Sequence, residues 1–70
     1  MEEIFFLVKE DEFGGFTAKA IGYSIFTEAE TVSELRLNIK EALECHFDIP
    51  NQMPKIANLH FVKDEILSLV

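Results

Sequence analysis

The chain has 70 residues, 49% of them hydrophobic, and its 13 acidic and 6 basic side chains give a formal net charge of −7. This length allows one domain, and the acidic surface argues against direct nucleic-acid binding because it repels phosphate. No window approaches the roughly 18 apolar residues of a membrane span, and no signal-peptide pattern opens the chain. A single cysteine excludes an internal disulfide, so we expect a cytoplasmic domain.

A hairpin is predicted in the first part of the chain. The run Ile4–Val8 is too short for a helix and too apolar for a half-exposed strand, so it predicts a central strand covered on both faces. The polar segment Glu10–Gly15 predicts a turn whose two glycines take positive φ. A second strand is predicted over Phe16–Ile21. Its alternation places two sets of side chains on opposite faces: Phe16, Ala18 and Ala20 against Thr17, Lys19 and Ile21.

The next segment predicts a strand followed by a capped helix. The strand covers Ser24–Ala29, after a turn at Gly22. The Thr31 hydroxyl can then cap the N–H of Glu34, whose carboxylate can reach back to the N–H of Thr31. The helix is predicted from Val32 to Phe47. Its apolar face is formed by residues at helical spacing: Val32, Leu35, Ile39, Ala42, Leu43 and His46.

The last third of the chain predicts a loop and one or two strands. Pro50 and Pro54 bracket a loop that cannot continue the helix. Alternation over Ile56–Val62 predicts a fourth strand, and Ile66–Val70 predicts a short fifth strand after a turn at Lys63–Glu65. The order β-β-β-α-β predicts an α+β fold, in which a three-stranded antiparallel meander precedes one amphipathic helix and a fourth strand.

These segments, in this order, resemble the short single-domain HicB-like antitoxins, the UPF0150-type proteins of bacterial and archaeal type II toxin–antitoxin systems. Five segments carry the resemblance: Ile4–Val8, the glycine pair within Phe13–Phe16, Gly22–Thr27, the threonine-capped helix ending in Asn38–Leu43, and Leu59–Glu65. The resemblance implies a truncated ribonuclease-H-like fold and a single HicB-like domain over residues 1–70. Two features depart from the family pattern. Ala29 stands where many relatives have glycine, and we expect no appended DNA-binding domain of the kind that longer relatives carry.

The resemblance also implies a partner, a small basic HicA-type toxin that cleaves mRNA and is neutralised by direct protein contact. The acidic surplus favours such a partner, although it also serves solubility. For the contact surface we select the outer helix face, with the adjacent strand edges. Its residues are Glu34, Leu37, Glu41 and Glu44. Leu37 lies roughly 200° from Leu35, among these acids, and is either an apolar anchor or an isolated exposed leucine.

No catalytic constellation is found in the sequence. Cys45 and His46 are helix neighbours that point about 100° apart, so they cannot form a nucleophile–base pair. His46 is predicted to be a partly buried packing residue, and His60 could lie near the helix. Two histidines without further ligands make a poor metal site, and the carboxylates lie in turns and on the outer helix face. We therefore expect no enzymatic activity, no metal and no cofactor.

The apolar content predicts self-association. Seven phenylalanines in 70 residues exceed what a small domain with a doubly apolar first strand buries alone. We therefore expect a homodimer or a tetramer built from it. An alternative to the antitoxin also remains: an orphan homo-oligomeric structural or ligand-binding domain of the same fold, without enzymatic activity.

Overall fold

Four strands and one long helix make up the fold of the computed structural model, which describes residues 2–47, 50–63 and 65–70. The elements are β1 (Glu3–Glu10), β2 (Phe16–Ala20), β3 (Phe26–Ala29), α1 (Val32–His46), a 3-10 turn at Pro50–Gln52, and β4 (Ile56–Val62). The strands form one sheet in the order β3-β2-β1-β4. β1, β2 and β3 pair antiparallel, while β4 pairs parallel to β1. The predicted α+β fold is confirmed. Over the described residues, no helix has the length and apolar character needed to cross a membrane.

The turn between β1 and β2 has the predicted glycine conformations. Gly14 and Gly15 have φ values of 98° and 90°. Within the turn, the N–H of Asp11 donates to the carbonyl of Gly15, and the N–H of Gly14 donates to the carbonyl of Asp11. The Asp11 carboxylate also accepts from the N–H of Phe13 at 3.0 Å. A Cβ on Gly15 would lie 3.0 Å from the carbonyl oxygen of Ala29, so glycine also lets β3 approach closely.

The turn between β2 and β3 is wider than predicted. β2 ends at Ala20 instead of Ile21, and β3 begins at Phe26 instead of Ser24. The reason is a four-residue reversal in which Gly22 has a φ of 86° and the N–H of Ala20 donates to the carbonyl of Ile25 at 3.0 Å.

The core lies on one face of the sheet, under α1. It contains Ile4, Phe6 and Val8 of β1, Ala18 and Ala20 of β2, Ile25, and Leu35, Ile39 and Leu43 of α1. β1 is central in the sheet, as predicted, but the prediction that it is covered on both faces is wrong for the single chain. Phe5, on the opposite face, is 46% exposed. One helix can cover only one side of a sheet, and the described residues provide no second layer.

One of the two predicted capping hydrogen bonds of α1 is present, and the other has a different donor. The N–H of Glu34 donates to the Thr31 hydroxyl at 3.1 Å, as predicted. The Glu34 carboxylate, however, accepts from the N–H of Glu30 at 3.4 Å instead of that of Thr31. Glu30 follows the last paired residue of β3, so its N–H is free of the ladder and available to this carboxylate. The helix ends at His46, one residue early, because Phe47 adopts extended backbone angles.

The C-terminal part confirms one predicted strand and contradicts the other. β4 spans the predicted Ile56–Val62, and the N–H groups of Lys55 and Ile56 donate to the carbonyl of Glu2 at its start. The predicted strand Ile66–Val70 is wrong, since residues 65–70 pair with no strand. Its apolar side chains are exposed, and an apolar run becomes a strand only when a neighbour provides backbone partners. The predicted turn before it includes residue 64, which lies outside the described residues.

Candidate protein-interaction surface

The four residues selected on α1 lie on one exposed strip of the helix, here called the acidic stripe. They are Glu34, Leu37, Glu41 and Glu44, and all are exposed. At about 100° and 1.5 Å per residue, they fall within about 80° of one another and extend over about 15 Å. Leu37 is 63% exposed in the middle of the stripe. The helix thus presents an apolar side chain framed by carboxylates.

The acidic stripe points away from the sheet, on the side of α1 opposite the buried Leu35, Ile39 and Leu43, and one flank beside it is joined to β3. The side-chain amide of Asn38 donates to the backbone carbonyl of Glu28 at 3.0 Å. This bond joins α1 to β3, which is a terminal strand of the sheet. Because it occupies a carbonyl on the outer edge of β3, it also covers part of that edge.

A second group of acids extends the stripe at the start of the helix. A depression of about 390 Å³ there has four acidic residues in its lining: Asp11, Glu28, Glu30 and Glu34. Glu28 contributes its backbone, because its pairing with Thr17 directs its side chain to the other face of the sheet. Pairing of Phe16 with Ala29 brings the first turn beside the end of β3. Sequence reasoning missed this cluster, because its members are far apart in the chain and meet only through the β2–β3 register.

The flank of α1 that faces β4 is basic. A groove of about 430 Å³ between α1 and β4 has an apolar floor that includes Ile39, Leu43 and Leu59. Its lining also includes Arg36, Lys40 and Lys55, half of the six basic side chains of the chain. This basic groove was also missed by sequence reasoning. The i, i+4 spacing of Arg36 and Lys40 was the available signal, since residues four apart share a helix face. The helix therefore separates charge, with acids on its solvent-facing side and bases on the flank towards β4.

The face of the sheet opposite α1, here called the open face, is partly apolar. Strand alternation places there the residues that do not enter the core, and several are large and exposed: Phe5, Ile21, Phe26 and Ile56. Their exposed fractions lie between 46% and 62%. A face of this composition is characteristic of a surface that contacts another protein.

The two histidines do not come together. The predicted partial burial of His46 is wrong, because it lies exposed in the last helical turn. Its ring makes edge contacts with Tyr23 and Phe47, at centroid distances of 6.0 Å and 4.9 Å. His60 is paired in register with Leu7, on the open face, so the expectation that it lies near the helix is also wrong. Cys45 is exposed. Among the described residues, no group of three or more His, Cys, Asp or Glu side chains is placed to hold a metal ion.

Comparison with known proteins gives a family. No family model and no solved structure matches the chain. It is similar to a UPF0150 protein of Thermotoga maritima, with 43% identity over 68 residues that cover 97% of this chain and 94% of the relative. It is also similar to a UPF0150 protein of Archaeoglobus fulgidus, with 41% identity over 58 residues that cover 83% and 85% of the two chains. With this identity over nearly the whole length, the chain belongs to the UPF0150 protein family.

Proposed function

We propose that this protein is an antitoxin-like binding module that neutralises a small basic HicA-type, mRNA-cleaving toxin by direct contact. The observation that carries the proposal is the acidic stripe, with Leu37 exposed at its centre and the acid-lined depression at its end. Two further observations support it: the UPF0150 names of its relatives, and the resemblance of its segments to UPF0150-type HicB-like antitoxins.

The charge distribution suits a basic partner. A net charge of −7 attracts a cationic protein over distances up to the Debye length, about 8 Å at physiological salt. Complementary charges mainly accelerate association and suppress wrong partners. The carboxylates of the stripe would lie against the cationic surface with which a ribonuclease binds RNA phosphates. Occupying that surface blocks the substrate without any chemistry by the antitoxin.

Leu37 supplies the part of the affinity that charge does not. An apolar side chain surrounded by polar groups is the usual composition of an interface core and its rim. Its burial contributes a free energy that added salt does not remove. The stripe thus combines steering by Glu41 and Glu44 with a hydrophobic anchor about one turn before Glu41.

The setting proposed for this activity is the cytoplasm, where the mRNA substrate of such a toxin is found. The oligomeric state proposed is a homodimer or a tetramer. Direct nucleic-acid binding by this chain alone is not part of the proposal, because its charge repels phosphate.

A second candidate is an orphan homo-oligomeric structural or ligand-binding domain of the same fold, without a toxin. The basic groove favours its ligand-binding form, since an apolar floor rimmed by Arg36, Lys40 and Lys55 suits an apolar anion. The two candidates differ in the surface they use. The antitoxin uses the acidic stripe, whereas the ligand-binding domain uses the basic groove between α1 and β4.

Co-expression tests the antitoxin directly. Any small basic protein encoded beside this gene is produced in a bacterial host with and without this chain, and growth and mRNA cleavage are measured. We expect the neighbour alone to stop growth and this chain to restore it. Cleavage that continues in the presence of a stoichiometric excess of this chain would contradict the proposal. A genome without a small basic neighbour would favour the orphan domain.

A further inference from the structure

On the open face, the residues of β1 and β4 form a pattern that is the same in both strand directions, if an acid at one end is matched with a base at the other. Its β1 residues, from start to end, are an acid, two apolar residues and a base: Glu3, Phe5, Leu7 and Lys9. Its β4 residues are apolar at both ends and polar in the middle: Ile56, Asn58, His60 and Val62. Core burial of Ile4, Phe6 and Val8 establishes that the odd-numbered β1 residues face away from α1.

The register aligns the two patterns into rows across the sheet. Glu3 pairs with Ile56, Phe5 with Asn58, Leu7 with His60, and Lys9 with Val62. Residues in register on parallel strands point to the same face, so each pair forms one row. The midpoint of the four rows lies at the level of Phe6 and Leu59, which point to the other face.

We propose that the open face binds the open face of a second copy of this chain, with the strands of the two sheets antiparallel. The two-fold axis lies between the sheets, perpendicular to the strands, at the level of Phe6. This operation exchanges the two outer rows of the face with each other and the two inner rows with each other. It places four kinds of contact across the interface: Glu3 with Lys9, Phe5 with Leu7, Ile56 with Val62, and Asn58 with His60 of the second copy.

The geometry of sheet packing accommodates these contacts. Stacked sheets lie about 10 Å apart, with their strands about 30° from alignment. Phe5 and Leu7 lie close to the axis, so the rotation of about 30° between the two sheets displaces them little. Glu3 and Lys9 are farther from the axis, but both side chains are long and flexible enough to follow the rotation.

A second copy fits this face better than a basic toxin does. An isologous interface needs a self-complementary surface, and opposite charges at equal distances from the axis meet that need. The strands place two bases, Lys9 and Lys19, and two acids, Glu3 and Glu28, on the open face. It is therefore charge-balanced in a chain of net charge −7, which limits the local repulsion between two acidic copies. A cationic toxin is instead attracted to the acidic stripe.

This inference rests on the homodimer of the proposed function and specifies its interface, while toxin binding uses a separate surface.

Exchanging the charges that meet across the axis tests the inference. Glu3→Lys leaves two bases and no acid among the open-face residues of β1, and Lys9→Glu leaves two acids and no base. Each single variant therefore repels a second copy of itself. Glu3→Lys/Lys9→Glu restores the pairs with their signs exchanged. A mixture of the two single variants also restores them, since each copy then meets its opposite.

Analytical ultracentrifugation over a range of protein concentrations is the measurement. We expect wild type at twice the 8.0 kDa chain mass, and at least about tenfold weaker self-association for each single variant. The double variant and the equimolar mixture should return towards wild-type association. Glu41→Lys and Lys55→Glu, which make the same charge changes on the α1 side of the sheet, should leave the mass unchanged.

Two results would overturn the inference: a wild-type mass of 8.0 kDa throughout, or a dimer that tolerates both single variants. Far-UV circular dichroism checks folding, and a misfolded variant could not be rescued by mixing. Toxin neutralisation by the same variants separates the two proposals. The single variants should retain toxin binding if the stripe is the toxin surface, whatever their mass.

Discussion

The side-chain amide of Asn38 on α1 donates a hydrogen bond to the backbone carbonyl of Glu28 on β3, at 3.0 Å. This bond holds the helix over the β3 side of the sheet and leaves the helix-facing side of β4 uncovered. The basic groove lies on the β4 side that this placement leaves open, and the acidic stripe lies on the solvent-facing side of α1. The position of the helix on the sheet therefore contributes to the charge asymmetry of the surface.

Asn38→Asp should destabilise the fold. The carboxylate is nearly isosteric but cannot donate to the Glu28 carbonyl, and it places a negative charge against an acceptor. We expect a loss of about 1 kcal/mol, or a melting temperature lower by about 4–8 °C. Asn51→Asp makes the same chemical change at an exposed position and should have little effect in thermal denaturation followed by circular dichroism. Equal melting temperatures for the two variants would show that the bond contributes nothing.

Two leucines of α1 should respond differently to truncation. Leu35 is fully buried in the core, whereas Leu37 is 63% exposed on the acidic stripe. Leu35→Ala should lower the free energy of unfolding by about 2–5 kcal/mol through lost burial and the cavity left behind. Leu37→Ala should change it by no more than about 0.5 kcal/mol. Urea denaturation measures both, and a similar cost at the two positions would contradict the orientation of the helix.

Toxin binding should separate into a charge component and an apolar component. Glu41→Lys/Glu44→Lys should mainly slow association with the basic toxin, and added salt should reduce the difference from wild type. Leu37→Ala should mainly accelerate dissociation. Surface plasmon resonance measures both rates. The matched controls are Glu2→Lys/Glu65→Lys for charge and Leu67→Ala for apolar truncation, all at exposed positions. If stripe variants and controls neutralise the toxin alike, the contact surface lies elsewhere, with the strand edges next to be tested.

The purified protein should have no nuclease or hydrolase activity. Among the described residues, no group of three or more His, Cys, Asp or Glu side chains is placed to hold a metal ion, and Cys45 and His46 are helix neighbours that point about 100° apart. RNA and DNA substrates are incubated with the protein in the presence of Mg²⁺, Mn²⁺ or Zn²⁺, and the products are separated by electrophoresis. Metal-dependent cleavage that disappears when a single carboxylate is replaced would prove this prediction wrong.

Several elements followed from local signals in the sequence. Thr31 and Glu34 mark the start of α1, and β4 has its predicted bounds, because capping and alternation act over a few residues. Gly14 and Gly15 take positive φ as expected, since the turn demands a conformation that other residues avoid. The exposure of Leu37 followed from helical periodicity alone.

What the sequence determined by itself is therefore four strands and one helix with most of their bounds, and the buried face of α1. The tertiary structure decided which elements meet. Pairing of β4 with β1 sends His60 to the open face, and the β2–β3 register brings Asp11 and Glu28 together. The strand expected at Ile66–Val70 did not form, because its backbone finds no neighbouring strand. Propensity and periodicity act between residues near in the chain, whereas pairing, register and the covering of a face depend on residues far apart in it.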